Sequence, residues 1–369
     1  MKVKLEDVCE ILDSKRIPIT AKDRTKGPYP YYGANGIQDY VSDYIFDDEL
    51  VLLAEDGGNF GSKERPIAYR VSGKCWVNNH AHVLKAKENI DVDYLCYSIM
   101  FYDVSNLVNG ATRQKLTQAD MRKMVIPLPP LPEQRHIAAV LDKVSELIAL
   151  RKRQLDLLDE MVKARFVEMF GTINENPKHY PMAMLKDICH KITDGKHGGC
   201  EQESNSGYFY VGAREIFDNS IHYETAPQIT YTDFAKDYKR CNIEVGDCVI
   251  VNTGATIGKS AIATSPLTER TLLQKSVALL KVNTEHILSE FLRYCYIVNP
   301  SMYMVESASA QPNLLLSKIK TTVVYTPPIK LQNQFADFVQ QVDKSKAAVQ
   351  QGLDRLILLK SALMQEFFG

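Results

Sequence analysis

The sequence predicts an α+β protein in which two tandem, strand-rich mixed α/β domains are separated by two long α-helices that form an antiparallel coiled coil. Three observations support this prediction. Similar segments recur along the chain, short β-branched and aromatic runs precede a Pro-Pro pair in each copy, and a heptad pattern follows each pair. At 369 residues the chain is also too long for one ordinary core, which favours two domains.

The internal repeat defines the organisation of the chain. Near the start of each copy, Leu5–Cys9 (LEDVC) resembles Leu185–Cys189 (LKDIC). From residue 112 onward the offset is constant at 198 residues, so that Phe170 corresponds to Phe368. We therefore expect two copies of one module, related by a pseudo-two-fold axis.

Each copy changes character at its Pro-Pro pair, residues 129–130 and 327–328. Before the pair, apolar runs lie between Gly, Asn and Asp turns, which predicts strands and one short helix per copy. The predicted strands include 68–71, 83–86, 248–251 and 275–282, and the short helices are 94–100 and 288–297.

Proline suits the first turn of a helix and blocks its continuation backward, so the Pro-Pro pairs predict helix starts. We accordingly expect four segments: a first strand-rich domain at 1–130, a central connector helix at 131–171, a second strand-rich domain at 172–328 and a C-terminal connector helix at 329–369.

The two connector helices have matching apolar seams that step by four and three residues over about five heptads. Each seam has two basic interruptions, at Arg151 and Arg165 in the first helix and at Lys346 and Lys360 in the second. Mutual antiparallel pairing is favoured over separate packing of each helix on its own domain. The predicted interface residues are Ile137, Leu141, Val144, Leu155, Leu158, Met169, Phe335, Val339, Val342, Leu353, Leu356 and Phe367.

Composition excludes several classes of protein. The hydrophobic fraction of 45% and the charged fraction of 24% are typical of a globular chain, and no run approaches the length of a membrane span. The N-terminus is acidic where a signal peptide would be apolar, so a cytoplasmic protein is expected. The eight cysteines include no C-x-x-C pair, which favours reduced, mostly buried thiols. A net charge of -1 excludes a simple polycation but allows a local basic face.

Residues 254–260 (GATIGKS) follow an apolar strand and resemble a phosphate-binding loop. The G-x-x-x-x-G-K-[ST] pattern needs four residues between the glycines, whereas this loop has three and Thr253 stands where the first glycine should be. A tight turn is the favoured interpretation, with an NTPase or nuclease as the alternative. We predict no catalytic residue and no metal ligands, since the histidines form no i, i+4 pair.

Both copies carry loops rich in amide, guanidinium and ammonium side chains. These residue types hydrogen-bond guanine and adenine edges and phosphates, so they are candidates for contact with DNA. The candidates are Asn59, Lys63, Arg65, Asn78, Asn79, His80, Arg113, Gln114, Lys115, Thr253, Thr256, Lys259, Gln274, Lys275, Gln311 and Asn313.

Taken together, the duplicated modules, the GATRQKL loop at 110–116 and the LPEQR motif at 131–135 resemble the specificity subunits of type I restriction-modification enzymes. The resemblance covers essentially the whole chain. The second copy has IKLQNQ at 329–334 in place of LPEQR, which questions whether both helix starts make equal contacts.

The resemblance implies two target-recognition domains, each reading one half of a split sequence in double-stranded DNA. It implies partner chains that carry the catalysis: adenine-N6 methyltransferase subunits, expected to be two, and ATP-driven restriction subunits. S-adenosylmethionine, ATP and magnesium would then belong to those partners, with no cofactor in this chain. Because the two modules differ in sequence, the target should be asymmetric. A scaffold that binds protein only is a further alternative.

Overall fold

The computed structural model describes residues 1–110, 113–303 and 313–369. Contacts divide the chain into two compact units. Unit 1 comprises Met1–Lys152 together with Gln351–Gly369, and unit 2 comprises Arg153–Gln350.

Unit 1 is built on a six-stranded sheet with the strand order β2-β7-β5-β6-β3-β4. Its neighbouring strands are antiparallel except for β3 and β6, which run parallel. A separate antiparallel pair joins β1 to β10. The strands are β1 (Lys2–Lys4), β2 (Cys9–Ile11), β3 (Lys26–Gly33), β4 (Gly36–Val41), β5 (Phe46–Ala54), β6 (Ala68–Val77), β7 (Ala81–Ala86), β8 (Val108–Asn109), β9 (Lys115–Leu116) and β10 (Val125–Pro127).

Strand β5 is central because its apolar run, residues 50–54, is fully buried on both faces of the sheet. One face packs on the short helix α2 (Val92–Met100), and the other is covered by a smaller apolar cluster that includes Cys75 and Val83. Asp91 caps α2 by accepting hydrogen bonds from the amides of Asp93 and Tyr94, which fixes where that helix begins. The short helices of unit 1 are α1 (Leu5–Val8), α2 (Val92–Met100) and α3 (Gln118–Met121).

Unit 2 has a four-stranded sheet with the order β12-β19-β16-β17, and a parallel pair, β13 and β18, beside it. Its strands are β11 (Met182–Met184), β12 (Cys189–Asp194), β13 (Phe209–Val211), β14 (Ile216–Phe217), β15 (Ser220–Ile221), β16 (Cys248–Val251), β17 (Ser260–Ile262), β18 (Thr271–Leu273), β19 (Val277–Val282) and β20 (Val323–Tyr325). Its shorter helices are α5 (Leu185–Ile188), α6 (Tyr231–Cys241), α7 (Ser289–Val298) and α8 (Leu316–Thr321).

Two helices of 40 residues each, α4 (Leu131–Phe170) and α9 (Ile329–Phe368), pass through both units. Each begins directly after a Pro-Pro pair, and α9 continues through Gly352 without a break. At both starts a buried glutamine, Gln134 or Gln332, accepts a hydrogen bond from a backbone amide. The second copy lacks LPEQR, yet Gln332 makes the same contact at the start of α9 that Gln134 makes at the start of α4.

The two long helices pack together within unit 2. The Phe166 and Phe335 rings lie 5.2 Å apart, and Lys346 Nζ lies 2.6 Å from Asp159 Oδ1. Asp159 precedes Phe166 in α4, whereas its partner Lys346 follows Phe335 in α9. The two helices are therefore antiparallel.

In unit 1 the end of α9 packs on the core formed by the sheet, α2 and the start of α4. Leu363, Met364 and Phe367 lie against the cluster that contains Ile137 and Leu141. The Phe368 ring also lies 5.3 Å from that of Tyr94, so α9 contributes to the core of unit 1.

The predicted seam follows the buried face of the helices over part of their length. Buried members are Ile137, Leu141, Val144, Phe335, Val339, Val342 and Leu353, while half-buried members are Leu155, Leu158, Met169, Leu356 and Phe367. Near the end of α4 the buried face is centred one residue away from the predicted seam, although Met169 still packs on the cluster that contains Phe335. Phe166 and Phe170 are fully buried, whereas Arg165 is exposed and Met169 is half-buried. A straight helix has 3.6 residues per turn, so its buried face drifts away from a strict heptad.

All eight cysteines are free, and six of them are buried. Burial raises the pKa of several thiols, for Cys9 to about 12, so these side chains act as small apolar groups. Among the described residues, no helix combines the length and the apolar character that crossing a membrane requires.

Candidate nucleic-acid interface

In unit 1, three loops meet where β5 ends and β7 begins. The Glu55 amide donates to His80 O at 2.9 Å, and the Leu116 amide donates to Glu55 O at 2.7 Å. These bonds fix residues 78–80 and 113–116 on either side of the end of β5. Three of the predicted DNA contacts, His80, Arg113 and Lys115, are thereby brought together.

Asp56 joins two of these side chains. Its Oδ1 accepts from Arg113 Nη2 at 2.6 Å and lies 2.7 Å from His80 Nδ1. Arg113 Nη2 and His80 Nδ1 are themselves 3.5 Å apart. The neighbouring Lys115 Nζ lies 2.9 Å from Glu55 Oε1. Each exposed cation of this surface is therefore held by a carboxylate that lies deeper in the protein.

A buried polar network supports this surface from beneath. His82 is fully buried, with Nδ1 at 2.7 Å from Asp13 Oδ2 and Nε2 at 2.9 Å from Leu116 O. Both ring nitrogens therefore lie within hydrogen-bond distance of an oxygen. Gln118 Nε2 also donates to Asp13 Oδ2, at 2.9 Å. The network thus connects the strand-end residues to the chain that follows Lys115.

The environment lowers the pKa of both carboxylates in the network. Burial by itself raises the pKa of Asp13, but hydrogen bonds from His82, the Val83 amide and Gln118 outweigh it. Burial likewise raises the pKa of Glu55 and is outweighed by Lys115 and Arg16. Both groups are therefore held in their charged forms in the folded protein.

Asp13, Glu55 and His82 place potential metal-ligand atoms within 4.8 Å of one another. The Arg16 guanidinium lies between the two carboxylates, with Nη1 at 2.6 Å from Glu55 Oε2 and Nη2 at 3.5 Å from Asp13 Oδ2. A divalent cation there would meet this fixed positive charge. The chemistry of the cluster fits an internal ion-pair network better than a metal centre.

Other candidates of unit 1 lie elsewhere. Lys63 and Arg65 are exposed in the segment that connects β5 to β6. In the same segment Asn59 Nδ2 donates to Pro66 O at 3.5 Å. Asn79 and Gln114 are exposed. Asn78 is only 3% exposed, and its amide bonds Gln38 and the His80 backbone, which argues against a direct DNA contact.

In unit 2, a cleft of about 340 Å³ gathers three predicted contacts, Thr253, Lys275 and Asn313. Thr253 Oγ1 donates to Asn313 Oδ1 at 3.2 Å. The cleft is also lined by Asp194, His197, Asn252 and residues 314–317. It combines amide, hydroxyl, ammonium and carboxylate groups, which suit the polar edges of a base.

The remaining candidates of unit 2 take different positions. Gln274 is half-buried, and its side chain lies against Gly212, where an added Cβ would come within 2.4 Å. This contact stabilises the connection between β13 and β18. Gln311 lies outside the described residues.

Residues 254–259 form the turn of a hairpin, because β16 and β17 are antiparallel neighbours. The Val251 amide donates to Lys259 O at 2.8 Å and the Gly258 amide to Val251 O at 3.0 Å. A phosphate-binding loop leads into a helix, whereas this loop leads into a strand, so the favoured tight turn is what the chain forms. Thr256 is half-buried and Lys259 exposed in this turn.

The same backbone hydrogen bonds frame the two surfaces, at the end of β5 in unit 1 and at the end of β16 in unit 2. The Leu314 amide donates to Asn252 O at 2.7 Å, as Leu116 does to Glu55 in unit 1. The Asn252 amide donates to Ser276 O at 2.9 Å, which matches the bond from Glu55 to His80. Isolated β-bridges join Asp56 to Lys115 and Thr253 to Asn313. The backbone arrangement is therefore shared, while the side chains that it carries differ.

A shared backbone frame with different polar side chains defines a class of protein in which a fixed scaffold presents variable recognition loops. The family model described as the type I restriction modification DNA specificity domain matches residues 1–160 and 177–357. The chain belongs to this family and is a type I restriction-modification specificity subunit. The NTPase or nuclease alternative is not supported.

Relatives agree with this assignment. A protein of Haemophilus influenzae named as a type I restriction enzyme specificity subunit is 26% identical over 95% of this chain and 89% of its own length. The MjaVIII specificity subunit of Methanocaldococcus jannaschii is 21% identical over 92% of this chain and 85% of its own length. Specificity subunits are not the catalytic members of such enzymes, whose activities lie in partner subunits.

Solved structures share the fold. The type I restriction-modification S subunit from M. genitalium superposes with a TM-score of 0.60 at 15% identity, covering 100% of this chain and 96% of the other. A chain from a study of assembly and conformational transition of the type I system gives 0.58 at 16% identity, with 100% and 97% covered. At such identities the likeness concerns the fold alone.

Proposed function

We propose that the chain recognises an asymmetric, bipartite sequence in double-stranded DNA, with one half-site read by each unit. The observation that carries this proposal is the shared frame at the ends of β5 and β16. Its positions hold Asp56 and Lys115 in unit 1 but Thr253 and Asn313 in unit 2. The same backbone geometry with different hydrogen-bonding groups would read different bases, so the two half-sites would differ.

The proposed reader is an internal repeat of two target-recognition domains, at 1–130 and 172–328, joined by connector helices at 131–171 and 329–369. The two separate matches of one family model support this division. So do the corresponding strand orders, β2-β7-β5-β6 in unit 1 and β12-β19-β16-β17 in unit 2. A pseudo-two-fold axis would relate the domains and present them to DNA in opposite orientations, as in dimeric readers of paired half-sites.

We further propose that α4 and α9 form an antiparallel coiled coil that sets the spacer between half-sites. The rise of 1.5 Å per residue makes a helix of this length about 60 Å long, ample for a spacer of several base pairs. Pairing stiffens both helices because each supplies apolar partners to the other. The antiparallel contact of Phe166 with Phe335 supports this role.

The subunit would act in a complex with methyltransferase and restriction subunits on DNA. The finer composition, two methyltransferase subunits that methylate adenine, remains part of the proposal. S-adenosylmethionine, ATP and magnesium would be held by those partners. Such a complex works where cellular DNA lies, which agrees with the predicted cytoplasmic location.

Methylome sequencing of cells with and without the gene tests the proposal. We expect one split, asymmetric motif with a methylated adenine to disappear when the gene is deleted. An unchanged methylome in cells that express the methyltransferase partner would contradict it. Loss of a continuous palindromic motif would contradict the bipartite reading specifically.

A further inference from the structure

Asp56 was not among the residues singled out by sequence, yet its carboxylate binds two of them. The same oxygen, Oδ1, accepts from Arg113 Nη2 at 2.6 Å and contacts His80 Nδ1 at 2.7 Å. Two nitrogen donors on one oxygen hold the carboxylate in a single orientation. Asp56 thus couples His80, directly before β7, to Arg113.

The burial of this pair is uneven. The Asp56 side chain is 17% exposed, whereas that of Arg113 is 61% exposed. Within the described residues, the polar contacts of the guanidinium involve Nη2. Nη2 carries two hydrogens, so the one that Asp56 does not use forms a two-donor edge with a hydrogen of Nη1 or Nε. The Asp56 backbone is itself held by its bridge to Lys115, so the carboxylate is an anchored support.

This arrangement favours a base edge over a phosphate as the partner of Arg113. Guanine presents two acceptors, O6 and N7, that match two parallel N–H donors of a guanidinium whose Nη2 is fixed by its contact with Asp56. A phosphate oxygen approaching the same place would be repelled by the Asp56 carboxylate. An unsupported arginine carries the same planar fork, but its side chain is free to turn toward a phosphate, whereas Asp56 holds Arg113 in one orientation.

We propose that Asp56 is a positioning residue that presents Arg113 as a guanine-reading side chain in one half-site. This inference rests on the proposed function. The corresponding position of unit 2 holds Thr253, which bonds Asn313 and carries no charge. The effect of Asp56 is therefore confined to the half-site read by unit 1.

The test uses the full complex with its methyltransferase partner and duplex DNA libraries randomised in both half-sites. The variants are Asp56→Asn, Arg113→Ala and the double variant. Asp39→Asn is the matched control, because Asp39 pairs with Arg24 at 3.3 Å elsewhere in unit 1. Base preference at each position and the salt dependence of binding are measured, and circular dichroism confirms folding.

We expect Asp56→Asn to lose discrimination for guanine at one position by about 10-fold or more, with the other half-site unchanged. Arg113→Ala should lose the same preference, and Asp56→Asn should add nothing to it. Asp39→Asn should match the parent. If Asp56→Asn fails to assemble, Arg113→Lys keeps the charge without the planar fork and should also lose the guanine preference.

Three results would overturn the inference while leaving the proposed function intact. The first is an unchanged base preference in Asp56→Asn or Arg113→Lys. The second is a uniform loss across all sequences with a smaller salt slope, which marks a phosphate contact. The third is an additive effect of the two substitutions. A parent complex that selects no split motif would instead overturn the proposed function.

Discussion

Gln134 and Gln332, which lie 198 residues apart, make the same set of three hydrogen bonds at the starts of α4 and α9. In each case Oε1 accepts from an amide at or just before the start of a short helix, and Nε2 donates to two carbonyls, one of them a proline's. The carbonyl partners are Asn89 and Pro129 for Gln134, and His286 and Pro327 for Gln332. Both side chains lock a long helix to the domain that precedes it.

Replacing either glutamine should destabilise the unit in which it lies. Gln134→Ala or Gln332→Ala leaves buried backbone groups without partners, which costs about 1–3 kcal/mol. Thermal melting of each variant, compared with Gln334→Ala at an exposed position of α9, measures this cost. Equal melting temperatures for Gln332→Ala and Gln334→Ala would show that the bonds contribute nothing.

Acid should weaken unit 1 through Asp13 and Glu55. Their native pKa values lie below the ordinary values of 3.8 for aspartate and 4.5 for glutamate. Each stabilising contribution is therefore complete above the ordinary value and is lost as pH falls through the native value. Asp13→Asn should cost about 3–5 kcal/mol at neutral pH, because His82 and Arg16 both lose the carboxylate of Asp13 from a buried ion-pair network.

Denaturant unfolding between about pH 6 and about pH 3 checks the sign of this effect. The parent should lose stability toward acid, and Asp13→Asn should show a shallower slope. A slope as steep in Asp13→Asn as in the parent would assign the acid sensitivity to other carboxylates.

Phe166 should be a major determinant of stability in unit 2. Its ring is fully buried against Phe335 and Phe291, at 5.2 Å and 5.4 Å. Phe166→Ala should therefore cost about 3–5 kcal/mol, whereas Val167→Ala, at an exposed position, should cost little. Denaturant unfolding of the two variants makes the comparison, and similar losses would contradict the packing described for α4.

Much of the secondary structure could be predicted because its signals are local. The Pro-Pro pairs indicated helix starts at Leu131 and Ile329, and the apolar run 248–251 coincides with β16. The parallel pairing of β3 with β6 and of β13 with β18 was not predicted, since parallel partners are set by contacts between distant segments. Helix α6 was not predicted, although Tyr231, Phe234, Tyr238 and Cys241 recur at helical spacing and Thr230 caps its start.

The candidate surface could be predicted only in part. The loop near Arg113 was found from its polar side chains, but the roles of Asp13, Asp56 and His82 depend on distances that no spacing reveals. The sequence does not distinguish the fully buried His82 from the half-buried His80 two residues before it. For the same reason the sequence predicts a DNA contact at Asn78, although that side chain is buried.

The Gly-Lys-Ser turn should have no role in nucleotide use. Lys259 is exposed in a hairpin turn between two strands, so Lys259→Ala should leave the ATP hydrolysis of the complete enzyme unchanged. DNA-dependent ATPase assays of the assembled complex measure this. Loss of hydrolysis with DNA binding intact would restore the nucleotide-site hypothesis.

The central claim is that the domains read the half-sites while α4 and α9 set the spacer, and a helix insertion tests it most directly. Four residues inserted into both helices near Ala149 and Ala347 add about 6 Å, or roughly two base pairs, and rotate each module by about 40°. Methylation is then mapped on DNA libraries with random spacers. We predict that both half-sites are retained and the preferred spacer lengthens. Altered half-site bases with an unchanged spacer would contradict the account.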